Sequence, residues 1–159
     1  MKSRMNLMQV APDAMKAMRG LQVYVDRSGL EHALLELVKM RASQLNGCAY
    51  CLDMHSKDAR AAGETEQRLY LLDAWREAPF YSPRERAALA WTEALTLISQ
   101  THAPDDVYEE ARAQFSEKEL ADLTMAIVAI NGWNRIAIGF RSEPGGYQPA
   151  RQEAAAASR

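Results

Sequence analysis

Strand signals, long apolar runs, disulfide-forming cysteines and an excess charge of either sign are all scarce in this sequence. Each scarcity removes a class of protein. Two cysteines in 159 residues cannot build the disulfide framework of a small secreted domain, and a reducing cytosol keeps such thiols reduced unless their chemistry uses the oxidised form. A formal net charge of −2, with lysines and arginines interspersed among acids, offers no basic face to a nucleic acid. No apolar run approaches the roughly 18 residues that span a bilayer. The N-terminal stretch MKSRMNLMQVAPDAM lacks the continuous apolar segment of a secretory signal. The expectation is a soluble, cytoplasmic protein with neither nucleic acid nor membrane as a partner. Period-two alternation is nearly absent, which argues against a sheet, and neither a repeat at a solenoid period nor a domain linker is visible.

Helix signals are what remain, and they are dense. Pro12 suits the first helical position of a segment to about Asp26 with Met15, Met18, Leu21 and Val25 on one face. Leu30, Leu34, Leu37, Val38 and Leu45 mark a second, closed by Asn46-Gly47. A third starts near Cys48 and stops at Gly63, and a fourth spans Thr65 to Arg76. Ser82-Pro83-Arg84-Glu85 combines an N-cap, a proline and a capping glutamate, which predicts a helix from Pro83 to Ser99. Pro104 to Gln114 is a sixth, and Ser116 with Glu119 caps a long apolar helix to about Phe140. With 48% hydrophobic residues the chain can bury one core. The expected architecture is all-α, a single helical domain of about seven helices over residues 1–147, followed by a tail over 148–159 that is polar or alanine-rich.

Both cysteines and a histidine fall within Gly47-Cys-Ala-Tyr-Cys-Leu-Asp-Met-His55. On a helix, Cys48 and Cys51 stand three apart and Cys51 and His55 four apart, so all three share a face. A first-turn position favours thiolate at Cys51, because unpaired backbone N–H groups and the helix dipole stabilise negative charge there. Four readings compete. The pair could simply pack as small hydrophobes. A structural disulfide is weak, since closing so short a ring contributes only ~2 kcal/mol. A zinc site would need a fourth ligand, and the other histidines, His32 and His102, are isolated. A redox dithiol explains the spacing and the nearby imidazole together.

Glu36, Cys48-Ala-Tyr-Cys51 and His55 form the pattern Glu, eleven residues, Cys-x-x-Cys, three residues, His, which resembles the core of the alkylhydroperoxidase D family within the carboxymuconolactone decarboxylase superfamily. Ile130-Asn-Gly-Trp-Asn-Arg135 is similar to a segment of stand-alone members, and the resemblance spans roughly residues 12–147. It implies a helical subunit assembling into trimers or hexamers, with no cofactor and no metal. It also implies that Cys51 is the peroxidatic thiolate, Cys48 the resolving thiol, and His55 with Glu36 the proton relay. The implied substrates are a hydroperoxide and a dithiol reductant, either dihydrolipoyl or thioredoxin-like. A non-enzymatic redox sensor or general disulfide oxidoreductase of the same fold is the alternative; lactone decarboxylation asks for no dithiol.

Glu36 would not be chosen on its surroundings, since Leu34-Leu-Glu-Leu-Val38 places it beside the apolar stripe, where a solvated glutamate is the common case. Tyr50 departs from the founding type, which carries a second histidine between the cysteines; a phenol is too weak an acid to share a proton near neutral pH as imidazole does. Tyr50, Trp91, Trp133 and Tyr147 are candidates to line a pocket over the thiols. Asn131, Asn134 and Arg135 lie in an apolar helix, where buried polar groups need partners, and a subunit interface is one place to find them.

Overall fold

The structure, a computed structural model, describes residues 2–149. Among these the secondary structure is entirely helical: α1 (Leu7–Val10), α2 (Pro12–Asp26), α3 (His32–Asn46), α4 (Ala49–Ala61), α5 (Glu66–Tyr70), α6 (Pro83–Thr96), α7 (Ile98–Thr101), α8 (Asp105–Gln114) and α9 (Glu117–Phe140), with a 3-10 turn at Leu72–Ala74. The tail expected from residue 148 lies, beyond Pro149, outside the described residues.

Two long helices organise the packing. Every residue of α3 from Leu34 to Ser43 is buried, because α4, α6 and α9 all pack against it. Helix α9 is long and apolar enough, by length and composition, to cross a membrane; here it packs against α2, α3, α4, α6 and α8. A main core of Val25, Leu34, Val38, Trp91, Phe115, Leu123 and Ile127 joins α2, α3, α6 and α9. A second core, including Leu37, Leu69, Leu72, Trp75 and Leu89, lies beneath α4 to α6.

Locally encoded ends fall where the residues demand. Ser82 and Ser116 each accept from the backbone N–H three residues on while Glu85 and Glu119 reciprocate, two complete capping boxes. Among the described residues the expected count of about seven helices becomes nine, the additions being the one-turn helices α1 and α7, and two expected helices are also cut short. The segment Thr65–Arg76 divides into α5 and the 3-10 turn, which swings Leu72 and Trp75 inward. There the Trp75 indole donates to Glu93 Oε1 at 2.8 Å. The helix expected to reach Ser99 ends at Thr96, and Thr101 Oγ1 donates to the freed Ala94 carbonyl at 2.6 Å. Helix α1, unmarked by any periodicity, is one turn capped by Asn6.

The segment before α1 lies along the end of α9. Arg4 donates its backbone N–H to Phe140 O at 3.0 Å and its guanidinium to Gly139 O at 3.0 Å. These are terminal carbonyls for which a helix has no partner of its own.

Candidate active site

Two residues, Gly47 and Cys48, separate α3 from α4. Gly47 ends α3 in the left-handed conformation at φ 68°, which glycine adopts without a Cβ clash. Gly47 N–H then reaches Gln44 O at 3.1 Å and Cys48 N–H reaches Ser43 O at 3.0 Å, the paired closure of a Schellman motif. Cys48 is at once the N-cap of α4. Its side chain makes no capping hydrogen bond, yet at this position the backbone N–H groups of Tyr50 and Cys51 favour negative charge on its sulfur.

The thiols are free, nearly inaccessible at 1% and 2% exposure, and their sulfurs lie 2.6 Å apart. Two thiols this close cannot both ionise, so the pair gives up its first proton easily and its second with difficulty. The hydrogen bond from Cys51 is the main cause that brings Cys48 down to about 7; burial opposes it, and the two backbone donors and the Asn134 amide assist. Donating that bond is what raises Cys51, with burial and the Cys48 charge adding to it. This corrects the expectation that first-turn placement lowers Cys51. The N-cap position, three residues earlier, is the one that the Tyr50 and Cys51 N–H groups favour, and Cys48 holds it.

Four turns of helix away in sequence, Glu36 meets the same site. It is buried at 3% exposure on α3. His55 Nδ1 stands 2.9 Å from its Oε2, and Lys39 Nζ donates to its Oε1 at 2.8 Å. Burial alone would raise the carboxyl, but the His55 hydrogen bond and charge, followed by Lys39, hold it down at about 2. The carboxylate fixes the ring, as carboxylates orient imidazoles generally, and His55 lines the cavity beside Cys51. Glu36, His55 and Asp58 have ligand atoms within 4.8 Å of one another. Their carboxylates already hold Lys39 Nζ and the Tyr147 hydroxyl, which donates to Asp58 at 2.7 Å.

The cavity measures 620 Å³, within the usual range for small-molecule sites, and Cys51 opens onto it while Cys48 does not line it. Its walls are Tyr50 and Met54 from α4, Trp133, Ile136 and Phe140 from α9, Met15 and Gln22 from α2, and the segment Met5 to Met8. Of the four aromatic candidates, Tyr50 and Trp133 line it. Trp91 instead donates to Thr124 Oγ1 in the core. The sequence reading missed Ser43, Asn46 and the methionines; Ser43 and Asn46 carry no spacing signal, and only their helix register could have pointed inward.

The all-helical chain, with its buried dithiol and the His55–Glu36 pair next to it, has the alkylhydroperoxidase D-like fold. Residues 11–94 match the carboxymuconolactone decarboxylase family, and the chain belongs to that family. It is 46% identical over 140 residues to the uncharacterized protein YdfG of Bacillus subtilis, covering 88% of this chain and 95% of that one. A crystal structure from Agrobacterium tumefaciens, of a protein of unknown function provisionally assigned to AhpD antioxidant defence, is 50% identical. It superposes with a TM-score of 0.89 over 92% of this chain and 100% of its own. The debrominase Bmp8 shares the fold at 23% identity and a TM-score of 0.76, over 87% of this chain and 75% of its own.

Proposed function

We propose that the protein is a thiol-dependent hydroperoxide reductase in which Cys51 is oxidised and Cys48 resolves. The observation that supports this reading most directly is the pair of free sulfurs 2.6 Å apart, with only Cys51 open to the cavity and the Glu36–His55 pair beside it.

The chemistry follows from that arrangement. The hydrogen bond from Cys51 brings Cys48 down to about 7, so the first negative charge on the pair is held on Cys48. A proton passed from Cys51 to Cys48 along the sulfur–sulfur hydrogen bond leaves thiolate on the sulfur that faces the substrate. Cys51 attacks the terminal oxygen of the hydroperoxide; the S–O bond forms, the O–O bond breaks, and the alkoxide takes a proton through His55 to leave as an alcohol. Cys48 then attacks the Cys51 sulfenic acid, and its own proton departs with the hydroxide as water. An external dithiol, dihydrolipoyl or thioredoxin-like, reduces the disulfide by exchange and becomes a disulfide itself. A cytoplasmic setting supplies such reductants, and by family resemblance the working unit is a homo-oligomer, a trimer or hexamer.

Stopped-flow oxidation of the reduced protein by cumene hydroperoxide tests the proposal. Wild type is expected to react far faster than free cysteine, Cys51→Ser no faster, and Cys48→Ser for a single turnover that leaves a trappable sulfenic acid on Cys51. A wild type no faster than free cysteine overturns the enzyme reading. A Cys48→Ser protein without sulfenic acid on Cys51 reverses the order of the thiols.

A further inference from the structure

The polar residues of α9 resolve into a chain of hydrogen bonds that ends at the thiols. Asn131 Nδ2 donates to Ile127 O at 2.9 Å and to Thr96 Oγ1 at 3.0 Å. Arg135 Nη1 donates to Asn131 Oδ1 at 3.2 Å. A backbone carbonyl can only accept and a guanidinium can only donate, so the orientation of the Asn131 amide is settled from both ends.

That orientation propagates. Asn131 Oδ1 faces Asn46, which must therefore present its amino group, and Asn46 Nδ2 reaches Asn131 Oδ1 at 2.9 Å and Asn134 Oδ1 at 2.8 Å. Asn134 is left with its own amino group directed the other way. There it donates to Ser43 Oγ at 3.1 Å, Ser43 O accepts the Cys48 N–H at 3.0 Å, and Ala137, one turn on from Asn134, packs with both cysteines, so the two side chains stand beside the dithiol, where the Asn134 amide favours charge on either sulfur and the Ser43 hydroxyl favours it on Cys51. Asn134 and Ser43 are 1% and 0% exposed, so no water competes for these donors. A flipped Asn134 would set amino group against amino group at Asn46 and turn a carbonyl oxygen toward a thiolate.

We propose that Asn134 and Ser43 are the hydrogen-bond donors that hold negative charge on the Cys48–Cys51 pair, and that Asn46 is the positioning residue that fixes which way the Asn134 amide points. Asn131 and Asn134, for which a subunit interface was one place to find partners, have partners within the chain. Its place in turnover rests on the peroxidase reading, but the charge it stabilises exists in the resting dithiol. The titratable and charged groups facing the pair are Tyr50 and His55 on α4, Glu36 on α3 and Glu143 at the cavity rim, with Arg135 engaged by Asn131.

The test needs neither peroxide nor reductant, so it stands even where wild type shows no peroxidase activity. In the fully reduced protein, thiolate absorbance at 240 nm and the rate of alkylation by iodoacetamide are followed against pH. Wild type is expected to titrate near 7. Asn134→Leu is expected to raise that midpoint by about one pH unit, leaving about fivefold less thiolate at pH 7. Ser43→Ala is expected to shift it in the same direction by less, and Asn46→Ala to raise it without touching either sulfur. Restoring an amide with Asn134→Gln recovers part of the thiolate, which a purely structural role would not produce. An unchanged midpoint in folded Asn134→Leu overturns the proposal; where that variant does not fold, an unchanged midpoint in Ser43→Ala overturns it on the same terms.

Discussion

A carboxylate at 3% exposure survives as an anion only because something nearby outweighs its lost hydration. For Glu36 that is His55 first and Lys39 second, and the result is a carboxyl held at about 2. The consequence for stability has a definite sign. A carboxyl ionises near 4.3 in the unfolded chain, so the folded state binds fewer protons. The stabilisation is fully present above about 4.3 and is lost as pH falls through about 2. Its size is about 3 kcal/mol at most. Urea unfolding midpoints are expected to fall steeply between pH 5 and pH 2.5, and to fall less steeply in Glu36→Gln, which has no proton to take up there. Glu93 and Asp122 are also depressed and contribute to the slope in both proteins, so the difference between the two curves isolates Glu36. Parallel curves would remove Glu36 from the acid response. The sequence places this residue at the flank of an apolar stripe; its burial comes from three helices closing around α3, which no local pattern announces. Only the resemblance in spacing marked it.

Helix ends were the most legible part of the fold, because a cap is a contract between residues three or four apart. Both capping boxes, the proline starts of α2 and α6 and the Asn46-Gly47 stop follow from local chemistry. What was not legible is where a helix breaks in order to bury a side chain, as at Trp75. The Gly47 stop carries the most function per residue, since it sets Cys48 as the next N-cap. A Cβ there would meet no atom within 4 Å, so replacement costs only the left-handed backbone. Gly47→Ala is expected to destabilise the protein by about 1 kcal/mol, read by urea unfolding, with Gly47→Asn costing less because asparagine tolerates that region. Equal losses in both variants would mean that packing, rather than backbone conformation, sets the cost. The same logic explains why the lower-lying thiol is Cys48 and not Cys51, three residues on: a helix begun at Cys48 and a helix capped by it look alike in sequence, yet only the second turns the Tyr50 and Cys51 N–H groups toward that sulfur.

At the scale of the whole molecule the thiols sit where α3, α4 and α9 converge, and the remaining wall of their cavity comes from the far end of the chain. Ser3 and Met5 to Met8 line it opposite Cys51, tied to the last carbonyls of α9 through Arg4. Nothing in the sequence joined these segments, because the contact spans more than 130 positions and leaves no periodic trace. If this strap forms the wall, its removal enlarges the opening without touching the thiols or their hydrogen-bond donors. A chain beginning at Asn6 is therefore expected to leave the pH midpoint of the dithiol near 7 while changing which reagents reach Cys51. Alkylation by iodoacetamide, which is small, should rise little. Alkylation by a bulky aromatic maleimide should rise several-fold, so the ratio of the two rates reports the width of the opening rather than the reactivity of the sulfur. A ratio unchanged by the truncation would show that reagents enter between α4 and α9 and that the strap is not the wall that limits them.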